Sequence, residues 1–142
     1  MFIGEYKHTI DAKGRIIVPA KYRENLGDEF VATLGLDGCL FLYPGSEWED
    51  FAMKLKNLPS DANTRMLQRH FMSRAMEMTV DKQGRILIPA KLREYAALDK
   101  EVVFVGNINR VELWDKDKWD VVSEAMEHEE IQQSLENYNI SI

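Results

Sequence analysis

Residues 9–24, T-I-D-A-K-G-R-I-I-V-P-A-K-Y-R-E, return almost unchanged at 79–94 as T-V-D-K-Q-G-R-I-L-I-P-A-K-L-R-E. Thr9, Asp11, Gly14, Arg15, Ile16, Pro19, Ala20, Lys21, Arg23 and Glu24 each recur 70 positions later. A duplication this close constrains the fold more than any composition does. Two copies of one unit in one chain imply an internal pseudo-two-fold axis on which equivalent surfaces meet. The copies stay in step beyond the motif, with Gly35 matching Gly106, Tyr43 matching Trp114 and Trp48 matching Trp119 once small gaps are allowed.

Each copy reads as strands followed by helix. Residues 5–10 and the β-branched 15–18 form a predicted hairpin around Asp11-Ala12-Lys13-Gly14. The Asp suits the turn entrance and the Gly suits a positive φ. Pro19 stops the sheet and opens a helix over 20–26, closed by Gly27. Residues 30–34 and 39–43 form a second hairpin around Gly35-Leu36-Asp37-Gly38. Copy two repeats the order at 75–80, 85–88, 89–96, 101–105 and 111–114. Ser46-Glu47-Trp48-Glu49 reads as a capping box for a helix that places Trp48, Phe51, Ala52 and Leu55 on one face, and Asp117 as the start of its counterpart. Asp61 starts a further helix with Leu67, His70 and Phe71 as its stripe, matched in copy two only by the Glu-rich stretch 127–138. Residues 139–142 are expected to fray. The organisation expected is repeat 1 at 5–47, a helical connector at 48–74, repeat 2 at 75–118, and an acidic helix and tail at 119–142.

Composition narrows the functional classes. With 142 residues, 45% hydrophobic and 30% charged, the chain has the makings of one folded unit or two intertwined small ones. The start M-F-I-G-E-Y-K has no basic run ahead of an apolar one, so no signal peptide is expected. Charges interrupt every apolar stretch before the ~18 residues a membrane span needs. Cys39 has no partner for an internal disulfide, which fits a reducing cytosol, and reads as a small apolar strand residue rather than a catalytic thiol. His8, His70 and His128 are scattered, and no phosphate loop or dinucleotide fingerprint appears, so neither metal nor cofactor is expected. The seven Met residues read as core or interface filler.

A net charge of −6 argues against a simple nucleic-acid binder, but its distribution matters more. Residues 1–24 carry five basic and three acidic side chains, and 77–94 carry four and three. Residues 112–142 carry two basic and nine acidic, so the excess lies in the C-terminal segment and the repeats are locally basic.

Two readings of the repeated residues compete. In the first, Asp11 and Asp81 cap their turns and Arg15 and Arg85 reach back to meet them. In the second, the same pairs hold each guanidinium as a fixed fork for guanine edges or phosphates, on a ribbon narrow enough for a major groove about 12 Å wide. Lys13 and Lys82 sit at or beside the turn tips, where a point charge suits a phosphate. Arg23 and Arg93 serve either fold or DNA. Lys21 and Lys91 read as solvated surface.

At these residues the chain closely resembles the MraZ family, over nearly its whole length. The resemblance rests on M-F-x-G-E-Y, both D-x-x-G-R-I-x-x-P-A-K-x-R-E segments and V-E-L-W. It implies an α+β fold of two tandem SpoVT/AbrB-like swapped-hairpin β-barrel repeats with flanking helices. It implies a sequence-specific transcriptional regulator, a repressor, that binds short G-rich direct repeats at the promoter of its own division and cell-wall gene cluster. It further implies a cytoplasmic, nucleoid-associated protein assembled as a ring-shaped homo-oligomer, with double-stranded DNA as partner and no membrane. On the same resemblance Lys13, Arg15, Arg23, Lys82, Arg85 and Arg93 form the DNA face, and Asp11, Gly14, Asp81 and Gly84 stabilise the turns. Ala12-Lys13 becomes Lys82-Gln83, so one lysine moves by a position between the copies.

Two other classes compete with this reading. An enzyme would pair the carboxylates of Asp11 and Asp81 across the axis, as in carboxylate dyads. A purely structural ring would need neither Arg15 nor Arg85.

Overall fold

In the computed structural model, which describes residues 1–142, the two copies exchange strands instead of folding side by side. The first copy supplies β1 (Glu5–Thr9), β2 (Arg15–Ile17), α1 (Ala20–Leu26), β3 (Glu29–Leu34), β4 (Leu40–Pro44), α2 (Gly45–Lys56) and α3 (Ala62–Met72). The second supplies β5 (Met76–Thr79), β6 (Arg85–Leu87), α4 (Ala90–Ala96), β7 (Glu101–Asn107), β8 (Arg110–Asp115), α5 (Lys116–Glu124) and α6 (His128–Asn137). The expected first hairpin forms only its turn. After the single rung from Asp11 N–H to Arg15 O, 3.0 Å, the strands part. β1 pairs with β7, and β2 pairs with β6. In the second copy β5 likewise crosses to β3.

The main sheet runs β1-β7-β8-β4-β3-β5 and the small one β2-β6. Exchanging each strand for its repeat counterpart reverses the six-stranded order onto itself, as a pseudo-two-fold axis requires. The axis can be placed by register. Ile16 pairs with Ile86, its own counterpart 70 residues on, at the centre of the ribbon. In the main sheet Phe41 pairs with Glu112, which stand in matching positions of β4 and β8.

Two cores follow from strand alternation. On one face of the main sheet, 20 buried residues pack the ribbon, α1 and α4 onto the strands, among them Ile16, Val18, Ile86, Ile88, Phe30 and Phe104. Full burial of Ile16 or Ile86 contributes ~2–3 kcal/mol each, so the ribbon is held by its inward residues. On the other face Cys39, Phe41, Tyr43, Val103 and Trp114 meet Leu55 of α2, Phe71 of α3 and Trp119 of α5.

Several local expectations are corrected. α2 begins at Gly45 directly after Pro44, so Ser46 lies inside the first turn and makes no cap hydrogen bond. α5 begins after Asp115, which leaves Asp117 within its first turn as an uncapping acid. Asp61 does cap α3, accepting from Thr64 N–H at 2.9 Å, but the buried stripe is Thr64 and Phe71 while Leu67 is exposed. Cys39 lies just ahead of β4, and burial pushes its thiol up to about 12, an unreactive state. Beyond α6, Ile140 N–H bonds Leu135 O at 2.9 Å and Asn139 N–H bonds Glu136 O at 3.0 Å, with Asn139 at φ 56°. That is a Schellman cap, with Asn where Gly is commoner.

α4 ends in the same motif on Ala97, at φ 51° and ψ 39°. Left-handed backbone costs a residue with a Cβ ~1–2 kcal/mol. Ala97→Gly is therefore expected to stabilise the chain by about 1 kcal/mol, raising the melting midpoint by ~2–4 °C, as a thermal melt would read directly. A lowered midpoint would mean the Ala97 methyl packs usefully.

Candidate nucleic-acid interface

The outward face of the β2–β6 ribbon is built by alternation. Ile16 and Ile86 point into the core, so Arg15, Ile17, Arg85 and Leu87 point out. Arg15 stands opposite Leu87, and Ile17 opposite Arg85. The two arginines are therefore diagonal neighbours, with Cα atoms roughly 7–8 Å apart for such a pair. That spans about two base-pair steps of 3.4 Å.

Each arginine is oriented by its own turn. Asp11 Oδ1 accepts from Lys13 N–H and Arg15 N–H, both at 2.9 Å, and Oδ2 accepts from Arg15 Nε–H at 2.7 Å. Asp81 repeats this on Gln83 N–H, Arg85 N–H and Arg85 Nε–H, the last at 3.0 Å. The Arg15 backbone N–H, more than any other contact, holds the Asp11 carboxyl below the usual carboxylate range, and the Arg85 N–H does the same for Asp81. Only Nε of each guanidinium is engaged, which leaves the outer nitrogens without a protein acceptor. The two competing readings of the Asp–Arg pair are thus compatible, because the pairing aims the fork without consuming it.

The turns are clipped to the opposite copy. Val18 N–H bonds Gly84 O and Ile88 N–H bonds Gly14 O, each at 2.9 Å. Arg23 lies flat over Gly84, its Nε donating to Val18 O at 2.9 Å. Arg93 lies over Gly14, with its guanidinium carbon 3.0 Å from where a Cβ would sit. Gly14 and Gly84 have φ of 88° and 79°, so a side chain there meets both strain and an arginine. This geometry gives Arg23 and Arg93 a packing role within the fold. The Arg93 Nε is buried with no acceptor, a difference between the copies.

Lys13 and Lys82 are exposed at the turn tips, at opposite ends of the ribbon, and Lys21 and Lys91 are exposed on α1 and α4. The opposite placement also separates Asp11 from Asp81. An antiparallel ribbon centred on Ile16·Ile86 puts the two turns at its two ends, so the carboxylates form no dyad. Ile17 and Leu87, 46% and 57% exposed, were not singled out from sequence. The alternation in R-I-I-V and R-I-L-I carries that signal, since buried positions 16 and 18 force position 17 outward.

Both halves of the chain, residues 1–70 and 71–138, match the family model described as "MraZ protein, putative antitoxin-like". The chain belongs to the MraZ family. Its relatives include proteins named Transcriptional regulator MraZ from Caldanaerobacter subterraneus subsp. tengcongensis, 50% identical, and Heliobacterium modesticaldum, 52% identical, each over 143 aligned positions covering 99% of this chain and all of the relative. Another so named, from Lachnoclostridium phytofermentans, is 59% identical over 120 residues, 84% of this chain and 85% of its own. The family is named for regulators and not for an enzyme. The two matches meet between His70 and Phe71, inside the last turn of α3. No helix is long and apolar enough to cross a membrane.

Proposed function

We propose that the chain is a DNA-binding transcriptional regulator that reads duplex DNA with the outward face of the β2–β6 ribbon. The observation that carries this reading is the pairing of two arginines on the outward face, their outer nitrogens unengaged, with two exposed apolar side chains about the pseudo-two-fold axis. Arg15 and Arg85 address guanine edges or phosphates, and Ile17 and Leu87 address thymine methyls. Lys13 and Lys82 neutralise backbone phosphates at the two ends. Arg23 and Arg93 contribute by holding the turns, and their charge adds to the local positive field. α5 packs through Trp119 on the face of the sheet remote from the ribbon, so its acids do not lie on the reading surface.

The fold is of the AbrB-like swapped-hairpin type, with repeats 5–47 and 75–118 sharing one axis. The protein acts in the cytoplasm at the nucleoid, as a ring of identical chains that represses from short direct repeats at the promoter of its own division and cell-wall genes. With ~4 phosphates neutralised by one module, affinity falls on the order of 10²-fold between 50 and 200 mM salt. Such a module depends on multivalency, and a ring presenting several of them to correctly spaced repeats supplies it.

Selection of bound sequences from random duplexes at stated salt is the direct test, followed by a gel-shift series on targets with one, two and three repeats. Removing a repeat is expected to weaken binding more than proportionally; equal affinity for one repeat and several would sink the assembled reading. Ile17→Ala and Leu87→Ala are each expected to lower affinity by ~3–10-fold through lost apolar burial and leave the melting midpoint unchanged. Unchanged affinity in both would remove these side chains from the reading surface.

A further inference from the structure

α6 is a helix without a cover. It has 10 residues and none is buried, although isolated helices shorter than ~12–15 residues are marginal in water. Its stripe Ile131, Leu135 and Tyr138 recurs at helical spacing, and Ile131 and Tyr138 are 49% and 77% exposed. Val121 and Met126 of the preceding segment extend the apolar surface, at 68% and 55%. Its counterpart in the first copy, α3, differs: it buries Phe71 against the sheet, and Phe71 O accepts from the Thr33 hydroxyl. Around the stripe stand Glu127, Glu129, Glu130 and Glu136, none engaged in an ion pair.

The opposite character lies between α2 and α3. There a groove of about 650 Å³ has Ala52, Leu55 and Met72 as its apolar lining and Lys56, Arg65 and Arg69 as its charged lining. Those three cations are exposed and make no ion pair within the chain. Gln68 closes the floor by donating to Leu55 O at 3.0 Å. None of the residues lining the grooves along α6 belongs to α2 or α3, so the two complementary surfaces do not meet within one chain.

We propose that α6 of one chain docks its Ile131–Leu135–Tyr138 stripe into the α2–α3 groove of a second copy, with Glu127 and Glu130 facing Lys56, Arg65 and Arg69. The contact joins a second-repeat surface to a first-repeat surface, so made without reciprocity it leaves one surface of each kind free on the pair. Repeated head to tail, such contacts close into a ring when the rotation allows. The inference rests on the ring reading above and names the surfaces that build it. It also gives the acidic C-terminal segment a specific occupant, since acids that repel DNA pair with cations on the next chain.

The test uses the full chain in sedimentation velocity and native mass spectrometry. Arg65→Glu with Arg69→Glu, and separately Glu127→Arg with Glu130→Arg, are each expected to reduce the assembly to smaller species. Combining the four substitutions is expected to restore it, an outcome that general destabilisation does not produce. Binding to a single-repeat duplex should stay within about twofold of wild type, while the advantage of a multi-repeat duplex is lost in either reversal and regained in the combination. An assembled wild type whose stoichiometry survives both reversals, or is not restored by their combination, overturns the docking and leaves the ring reading standing. A monomeric wild type overturns both.

Discussion

Replacing Arg15 and Arg85 together with alanine is expected to lower affinity for a single-repeat duplex on the order of 10³-fold, with assembly and melting midpoint close to wild type. Each guanidinium keeps its outer nitrogens clear of protein acceptors, with Nε alone tied to the turn carboxylate. A bidentate base contact contributes ~1–3 kcal/mol of discrimination, so each single substitution should cost on the order of 10–100-fold. The stability side is small. Asp11 and Asp81 retain their backbone bonds to the N–H groups of positions 13 and 15, and 83 and 85, after either arginine is truncated. An exposed ion pair contributes only ~0–1 kcal/mol, so the midpoint should move by no more than a few degrees. Fluorescence anisotropy at fixed salt, beside a thermal melt and a sedimentation profile, separates the outcomes. Loss of assembly with affinity retained would make the arginines structural. Unequal effects of the two single substitutions would be informative as well, because Lys13 and Lys82 occupy different positions in their turns and the two ends of the ribbon are not equivalent.

The repeats, the turns and the short helices were legible because their signals are local. Asp, Gly and Pro act on the backbone within four residues, and Gly27 does close α1 through its N–H to Arg23 O. Strand partners were not legible. β1 and β2 look like a hairpin because alternation and a tight turn are present, yet alternation says only which face is buried, never which strand lies alongside. The partner of β1 starts at Glu101, and nothing near Glu5 records that distance. The duplication did carry the axis, since pairing equivalent units requires some residue to meet its own counterpart; the register then shows that Ile16 is that residue. Helix starts were misplaced for a related reason. Ser46 and Asp117 have capping chemistry, but Pro44 and Asp115 end their strands in extended backbone and begin the helices two residues earlier.

The site residues divide along the same line. Arg15 and Arg85 have partners four residues away, so their turn contacts could be anticipated. In the sequence Arg23 and Arg93 suit fold and DNA alike, because their neighbours are Gly84 and Gly14, which belong to the other copy. That cross-copy contact supplies a reason for two of the shared positions, four residues, at once: the glycine must lack a Cβ because an arginine from the other copy lies on it.

The same contact yields the largest expected loss of stability from a single methyl. Gly84→Ala places a Cβ against the Arg23 guanidinium at a backbone φ of 79°. The backbone term is ~1–2 kcal/mol for a residue with a Cβ in the left-handed region. Displacing Arg23 adds roughly 1 kcal/mol for its bond to Val18 O, together with lost packing. The sum is ~2–4 kcal/mol, a fall in melting midpoint of roughly 10 °C for a chain of this size. Gly14→Ala should be comparable or worse, because there the Cβ would also meet Ile88 O, a backbone atom, at 2.9 Å. A double-mutant cycle separates strain from collision. Arg23→Ala alone should cost about 1 kcal/mol, and in its presence the cost of Gly84→Ala should shrink toward the backbone term, giving a coupling of ~1 kcal/mol or more between residues 61 positions apart in sequence (84 − 23). Arg93→Ala should fail to rescue Gly84→Ala, since Arg93 lies on the other turn. Additive effects of Arg23 and Gly84 would mean that the guanidinium moves aside freely, in which case Arg23 is available to DNA and the division of labour between Arg15 and Arg23 disappears.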